Sequence, residues 1–139
     1  MSPYSGTRAA TPRVAAIDLG TNSVRLIVAE VEGRDSYRTL DDEREQTRLG
    51  LRLSETGRID PETAQRTLEA LERMKAIADG YEVTELRAVG TAALREAENG
   101  PAFVRAARKR FGLEIEVIDA EEEAELAMRS VRKHFALGE

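Results

Sequence analysis

Apolar positions fall in short runs at the start of the chain and at helical spacing further on. Residues 14–18 and 23–32 have strand character, and Arg25 alternates with Val24 and Leu26 in the second run. Gly33-Arg34-Asp35 makes a turn, and residues 37–49 read as a third, more polar strand. Three sequential strands joined by short turns predict an antiparallel meander. Residues 49–57 read as a loop.

From Asp60-Pro61 the period changes. An acidic N-cap followed by proline in the first turn starts a helix. Ala64, Leu68, Leu71, Met74 and Ile77-Ala78 then recur at the spacing of one buried face, and Gly80 is the expected stop. Residues 85–89 form a short strand running into Gly90-Thr91-Ala92-Ala93-Leu94-Arg95. Asn99-Gly100-Pro101 opens a second helix, with Phe103, Val104, Ala107 and Phe111 inward and Gly112 closing it. Residues 113–118 are a fifth strand, in which Leu113, Ile115 and Val117 alternate with Glu114 and Glu116. Asp119-Ala120-Glu121-Glu122 is a capping box opening a last helix that reaches about Leu137. The order is βββαβαβα, an α/β class built on a mixed five-stranded sheet.

The 139 residues, 41% hydrophobic and 34% charged, fit one soluble domain with its own core. The absence of cysteine excludes disulfides, thiolate nucleophiles and Cys-based zinc sites. No apolar stretch approaches the roughly 20 residues that span a bilayer. Residues 1–12 lack an apolar h-region, so they read as a flexible polar tail on a cytoplasmic protein, not as a secretory signal. A net charge of -5 and the lack of Trp argue against a nucleic-acid module. A small phosphate ligand stays compatible, because a local arginine pocket can oppose the overall sign.

Three places carry candidate chemistry. Asp18-Leu19-Gly20-Thr21-Asn22-Ser23 combines an acid, a glycine, two hydroxyls and an amide in one tight turn. Such a turn gathers backbone N–H groups around a volume that suits a phosphate. Asp18 at its mouth is placed to hold a divalent cation or its water shell, since Mg²⁺ takes one or two carboxylates plus phosphate oxygens. The same residues also serve an ordinary hairpin turn. Arg95 follows a strand end, where it would either clamp a phosphate or pair with Glu96 or Glu98. Arg25 would reach the ligand of the turn or point to solvent. On a wheel of the last helix, Ala120, Ala124, Ala127, Met128, Val131 and Phe135 form the apolar side. Glu121 and Glu123 fall on its margins, and Glu122 and Glu125 lie away from it. A half-buried margin carboxylate would have a raised pKa and serve as a general base. All four acids also suit the positive end of a helix dipole, with no chemistry implied. His134, the sole histidine, lacks a second one for a metal site and is assigned no catalytic role.

Ile17-Asp18-Leu19-Gly20-Thr21-Asn22-Ser23-Val24-Arg25-Leu26 resembles the first phosphate motif of the Ppx/GppA phosphatases, which are exopolyphosphatases and guanosine pentaphosphate phosphohydrolases. Ala88-Val89-Gly90-Thr91-Ala92-Ala93-Leu94-Arg95-Glu96-Ala97-Glu98-Asn99-Gly100 resembles their second signature, and Ile115-Glu116-Val117-Ile118-Asp119-Ala120-Glu121-Glu122-Glu123-Ala124 the third. The resemblance implies a ribonuclease-H-like lobe of the actin-like ATPase superfamily over residues 13–139. It implies that the first loop binds the terminal phosphate through Gly20, Thr21, Asn22 and Ser23, with the metal at Asp18. Arg95 would help to hold phosphate, and the register of the Glu-Glu-Ala signature puts the catalytic glutamate on Glu123. The implied reaction is Mg²⁺-assisted hydrolysis of terminal phosphoanhydride bonds of inorganic polyphosphate or guanosine pentaphosphate, with Glu123 orienting and deprotonating water. The alternative is a non-catalytic half-domain that binds phosphate or pairs as a homodimer. A kinase-type or ATPase lobe of the same superfamily is disfavoured by the Arg95 and Glu123 signatures.

Two departures stand out. Thr21 replaces the usual serine and keeps the hydroxyl. Leu49-Gly50-Leu51-Arg52-Leu53 lacks the Glu-Gly that often follows the first Leu-Gly, so this loop is expected to differ in shape. The chain also stops at Glu139, ahead of the family's Asp-x-Gly-Gly-Gly-Ser hairpin and second lobe, so weak or no turnover is expected of it alone.

Overall fold

A computed structural model describes residues 11–34, 36–122 and 125. The expected tail up to residue 10, Glu123, His134 and nearly all of the last helix lie outside the described residues.

Five strands form one mixed sheet: β1 (Arg13–Leu19), β2 (Ser23–Val31), β3 (Tyr37–Gln46), β4 (Glu85–Gly90) and β5 (Ile115–Val117), in spatial order β3-β2-β1-β4-β5. The expected meander is present, with β1–β2 and β2–β3 antiparallel and one irregularity in register opposite Val28 and Ala29. β4 and β5 run parallel to β1, which requires a crossover before each. Four helices supply the connections: α1 (Leu53–Thr56), α2 (Pro61–Gly80), α3 (Ala92–Glu96) and α4 (Gly100–Phe111).

Period-two alternation on β1 and β2 creates the buried face. Ala15, Ile17, Leu19, Val24, Leu26 and Val28 are buried, while Ala16 and Asp18 between them are exposed. The buried set shares one core with Leu68, Leu71 and Met74 of α2 and Phe103 and Ala107 of α4. Burying a side chain the size of Ile17 or Leu71 contributes about 1.5–3 kcal/mol, so these few residues hold both helices to the sheet.

The expected signals act at most of the boundaries. The Asp60 carboxylate accepts from the Thr63 N–H at 3.3 Å and caps α2, and Gly112 takes a left-handed φ of 70° to end α4. Five details differ from expectation, the first being that residues 92–96, read as part of the run after β4, form the short helix α3. The segment 49–57 contains the helical turn α1. Gly80 is the last residue of α2, as expected, but it is not the left-handed cap: Tyr81 is the C-cap, its N–H still bonding to Ile77 and Ala78 carbonyls, and the left-handed turn falls on Glu82 (φ 55°). β3 stops at Gln46, since Arg48 (φ 55°) redirects the chain. β5 is shorter than expected, and Ile118 is buried where Val117 is 41% exposed, so the alternation breaks at the strand's end.

Asn99 joins the two helix starts. Its Nδ2 donates to the Ile59 carbonyl at 3.0 Å, and its Oδ1 accepts from the Ile59 N–H at 2.7 Å. Asn99→Ala removes both partners and leaves two backbone groups unsatisfied. We expect a loss of about 1–3 kcal/mol, read as a lower urea midpoint with an unchanged m value.

Candidate functional site

The parallel strands β1, β4 and β5 finish at one edge of the sheet, at Leu19, Gly90 and Val117. The loops beyond them are bonded together. The Leu19 carbonyl accepts from the Thr91 N–H at 3.2 Å and from the Thr91 hydroxyl at 3.4 Å. The Gly90 carbonyl accepts from the Ile118 N–H at 3.0 Å. Three motifs far apart in sequence thus meet at the carboxyl ends of the strands, where open α/β sheets place their ligands. Gly90 permits the close approach, because a Cβ there would run into the Leu94 side chain of α3.

The first motif forms the turn between β1 and β2, closed by the Gly20 N–H donating to the Ser23 carbonyl at 3.0 Å. Thr21 and Asn22 are exposed and Ser23 is half-buried. The carbonyls of Thr21 and Asn22 are tied back, accepting from the N–H groups of Gly50 (2.9 Å) and Arg48 (3.0 Å). The N–H groups of Thr21 and Asn22 have no partner among the described residues. The exposed tip therefore offers donors while its acceptors are occupied, which is the polarity an anion requires. The loop after β3 supplies this bracing, and Gly50 lets it come so close, since a Cβ there would overlap Thr21 Cγ2. Reading residues 49–57 as a plain connection missed this role, and Gly50 was the available signal.

Asp18 projects from the exposed face of β1, opposite Arg25 on β2 and Val89 on β4. Arg25 grips Asp42 through two hydrogen bonds of 3.0 and 2.8 Å, so its guanidinium is engaged along the sheet surface. Those bonds hold the Asp42 carboxyl below its ordinary range and raise the Arg25 pKa, to which Asp18 adds a smaller Coulombic contribution. Asp18 supplies one hard oxygen ligand. Among the described residues no group of three His, Cys, Asp or Glu could hold a metal. A single exposed carboxylate is a donor that suits Mg²⁺, which takes most of its ligands from phosphate and water.

Arg95, half-buried on α3, donates Nη1 to the Ile118 carbonyl at 2.8 Å. Glu96 and Glu98 are not its partners; Glu98 pairs with Arg58 at 3.5 Å. A guanidinium carries five N–H donors, so this bond positions Arg95 and leaves donors for a ligand. It also borders a cavity of about 550 Å³ lined by Leu94, Val104 and Val117. In the third motif the Asp119 carboxylate accepts from the Glu122 N–H at 2.8 Å, the expected cap, with helix beginning at Ala120. Glu121 is exposed, so its place on the wheel margin does not half-bury it.

The model of the Ppx/GppA phosphatase family matches residues 26–139. The chain belongs to this family. It is 37% identical over 128 residues to Exopolyphosphatase 2 of Mycobacterium tuberculosis, covering 86% of this chain and 40% of that protein. It is 35% identical over 122 residues to the guanosine-5'-triphosphate,3'-diphosphate pyrophosphatase of Aliivibrio fischeri, covering 87% of this chain and 24% of that one. Among solved structures, the Ppx/GppA protein of Aquifex aeolicus superposes with a TM-score of 0.76 at 34% identity, over 81% of this chain and 36% of that one. An exopolyphosphatase from Cytophaga hutchinsonii gives 0.78 at 32% identity, over 82% and 36%. The sheet is thus the ribonuclease-H-like, actin-like lobe of a Ppx/GppA protein. The chain spans between a quarter and two-fifths of the length of these curated relatives.

The Arg25–Asp42 pair gives this Ppx/GppA lobe a defined acid response. Asp42 has a lowered folded-state pKa, so its stabilisation is present above the unfolded carboxylate value near 4 and is lost as pH falls through the folded value. Melting temperature followed against pH should fall less steeply below about pH 4 in Asp42→Asn than in the unaltered chain.

Proposed function

We propose that this chain carries one wall of a site that binds and hydrolyses the terminal phosphoanhydride of inorganic polyphosphate or guanosine pentaphosphate. The observation that carries the reading is the turn at residues 20–23, whose Thr21 and Asn22 N–H groups have no partner among the described residues and whose carbonyls are braced. The relatives' names, an exopolyphosphatase and a guanosine pentaphosphate-type pyrophosphatase, supply the two substrates. Gly20, Thr21, Asn22 and Ser23 receive the terminal phosphate, and Arg95, fixed through Ile118, offsets its charge from the neighbouring loop. Mg²⁺, held through Asp18, supplies neutralisation of charge on the phosphate oxygens when bound. Glu123, assigned by the register of the third motif, orients a water in line with the terminal phosphorus and takes its proton. The new P–O bond forms as the bond to the bridging oxygen breaks, and the shortened phosphate chain or nucleotide leaves with those electrons.

No helix among the described residues is long and apolar enough to cross a membrane. A cytoplasmic setting belongs to the same proposal.

Phosphate release from long-chain polyphosphate with Mg²⁺, compared between the chain and Glu123→Gln, tests the reaction. Loss of a positioned general base should reduce release by at least about 100-fold. Phosphate binding without release in either protein would instead identify a non-catalytic half-domain, with a homodimer measurable by sedimentation. Equal release from both would remove Glu123 from the chemistry.

A further inference from the structure

The loop that braces the turn carries two arginines whose side chains take no part in that bracing. Arg48 and Arg52 both adopt left-handed backbone angles, with φ of 55° and 63°. This region favours glycine, and non-glycine residues held there cluster at ligand-binding segments. Arg52 occupies the place where the family pattern often has the glycine of Glu-Gly, and it keeps a glycine-like conformation. Leu51 occupies the place of the acid. Relative to that pattern, the loop loses one negative charge and gains one positive charge.

The backbone sets these residues beside the turn. The Arg48 N–H donates to Asn22, the Gly50 N–H to Thr21, and the Leu51 N–H returns to the Arg48 carbonyl at 2.9 Å. The Thr56 N–H bonds to the Arg52 carbonyl at 3.0 Å, anchoring Arg52 to α1. Both arginines are exposed, and neither guanidinium has a hydrogen-bond or ion-pair partner among the described residues. Elsewhere on the sheet and α2, Arg25, Arg87 and Arg73 are engaged by Asp42, Glu116 and Glu45. The loop thus carries, on backbone bonded to the turn, two guanidinium groups with no ion-pair partner among the described residues, a group suited to paired phosphate oxygens.

We propose that Arg48 and Arg52 form a second anion subsite for the phosphoryl groups that follow the terminal one, so that the lobe favours an extended polyphosphate over a single phosphate. The inference rests on the turn being the terminal-phosphate site. An internal phosphoryl group keeps its negative charge whatever the chain length, so each bound group adds to the attraction between chain and loop.

The test is calorimetric titration of the 139-residue chain with orthophosphate, tripolyphosphate and long-chain polyphosphate at fixed Mg²⁺ and salt. The double variant Arg48→Gln/Arg52→Gln is compared with a charge-matched control, Arg34→Gln/Arg108→Gln, which lies beyond the far end of β2 and on α4. In the double variant, affinity for both polyphosphates should fall by about ten-fold or more, with a shallower salt dependence, while orthophosphate binding and the control stay unchanged. Arg52→Gly suits the left-handed backbone and should show part of the same loss, even if the double variant unfolds. Unchanged polyphosphate affinity, or an equal loss in the control, overturns the subsite and leaves the turn as the phosphate site. An unaltered chain that binds none of the three anions overturns both readings.

Discussion

Leu19, at the carboxyl end of β1, is where the two kinds of strand pairing meet. It faces Val24 across an antiparallel ladder and Gly90 across a parallel one, and its side chain is buried beneath the helices. Its carbonyl holds the loop after β4 through Thr91. A one-residue slip of β1 would send Ile17 and Leu19 to the open face and drive the Asp18 carboxylate into the core. Burying an unpaired carboxylate there costs several kcal/mol, so core packing and charge solvation select the same register. The exposed position of Asp18 and the meeting of the turn with the second motif both follow from that choice.

The turn's polarity depends on a second segment. A tight turn between strands exposes carbonyls as readily as N–H groups, and bare carbonyls facing an anion would repel it. Here the N–H groups of Arg48 and Gly50 occupy the carbonyls of Asn22 and Thr21, leaving donors at the tip. The fit of Thr21 against Gly50 shows how little room separates the two loops. A plain hairpin has no need of such bracing, which favours the proposed anion cradle over an ordinary turn.

Signals carried within a few residues were legible in the sequence. The alternation in β1 and β2, the Asp60 and Asp119 caps and the Gly112 stop all act as their local chemistry predicts. What escaped was set by partners distant in the chain. The bend at Arg48 that ends β3 and the turn at Glu82 that follows α2 fall on residues with no bias toward positive φ. Arg25 pairs with Asp42 because the antiparallel register brings their strands together, a placement that no local pattern encodes. Arg95 has two acids within three residues, yet it bonds to a carbonyl twenty-three residues away, because β4 and β5 lie side by side. The three candidate motifs could be read from the sequence, whereas their meeting at one end of the sheet and the partners that fix their side chains required the fold.

Charge follows the same division between whole and part. A net charge of -5 is unfavourable to anions only if it is spread evenly. The acids of β3 have partners of their own. Asp42 is held by Arg25 and Glu45 by Arg73, while Asp41 accepts from the Tyr81 hydroxyl at 3.1 Å. A hydrogen bond to Asp41 also pushes the Glu43 carboxyl up. Beyond a Debye length of roughly 8–10 Å, exposed charges are largely screened. A phosphate at the proposed site would therefore respond to the groups nearest the turn, where, among the described residues, the Thr21 and Asn22 N–H groups have no partner and Arg48 and Arg52 have no ion pair.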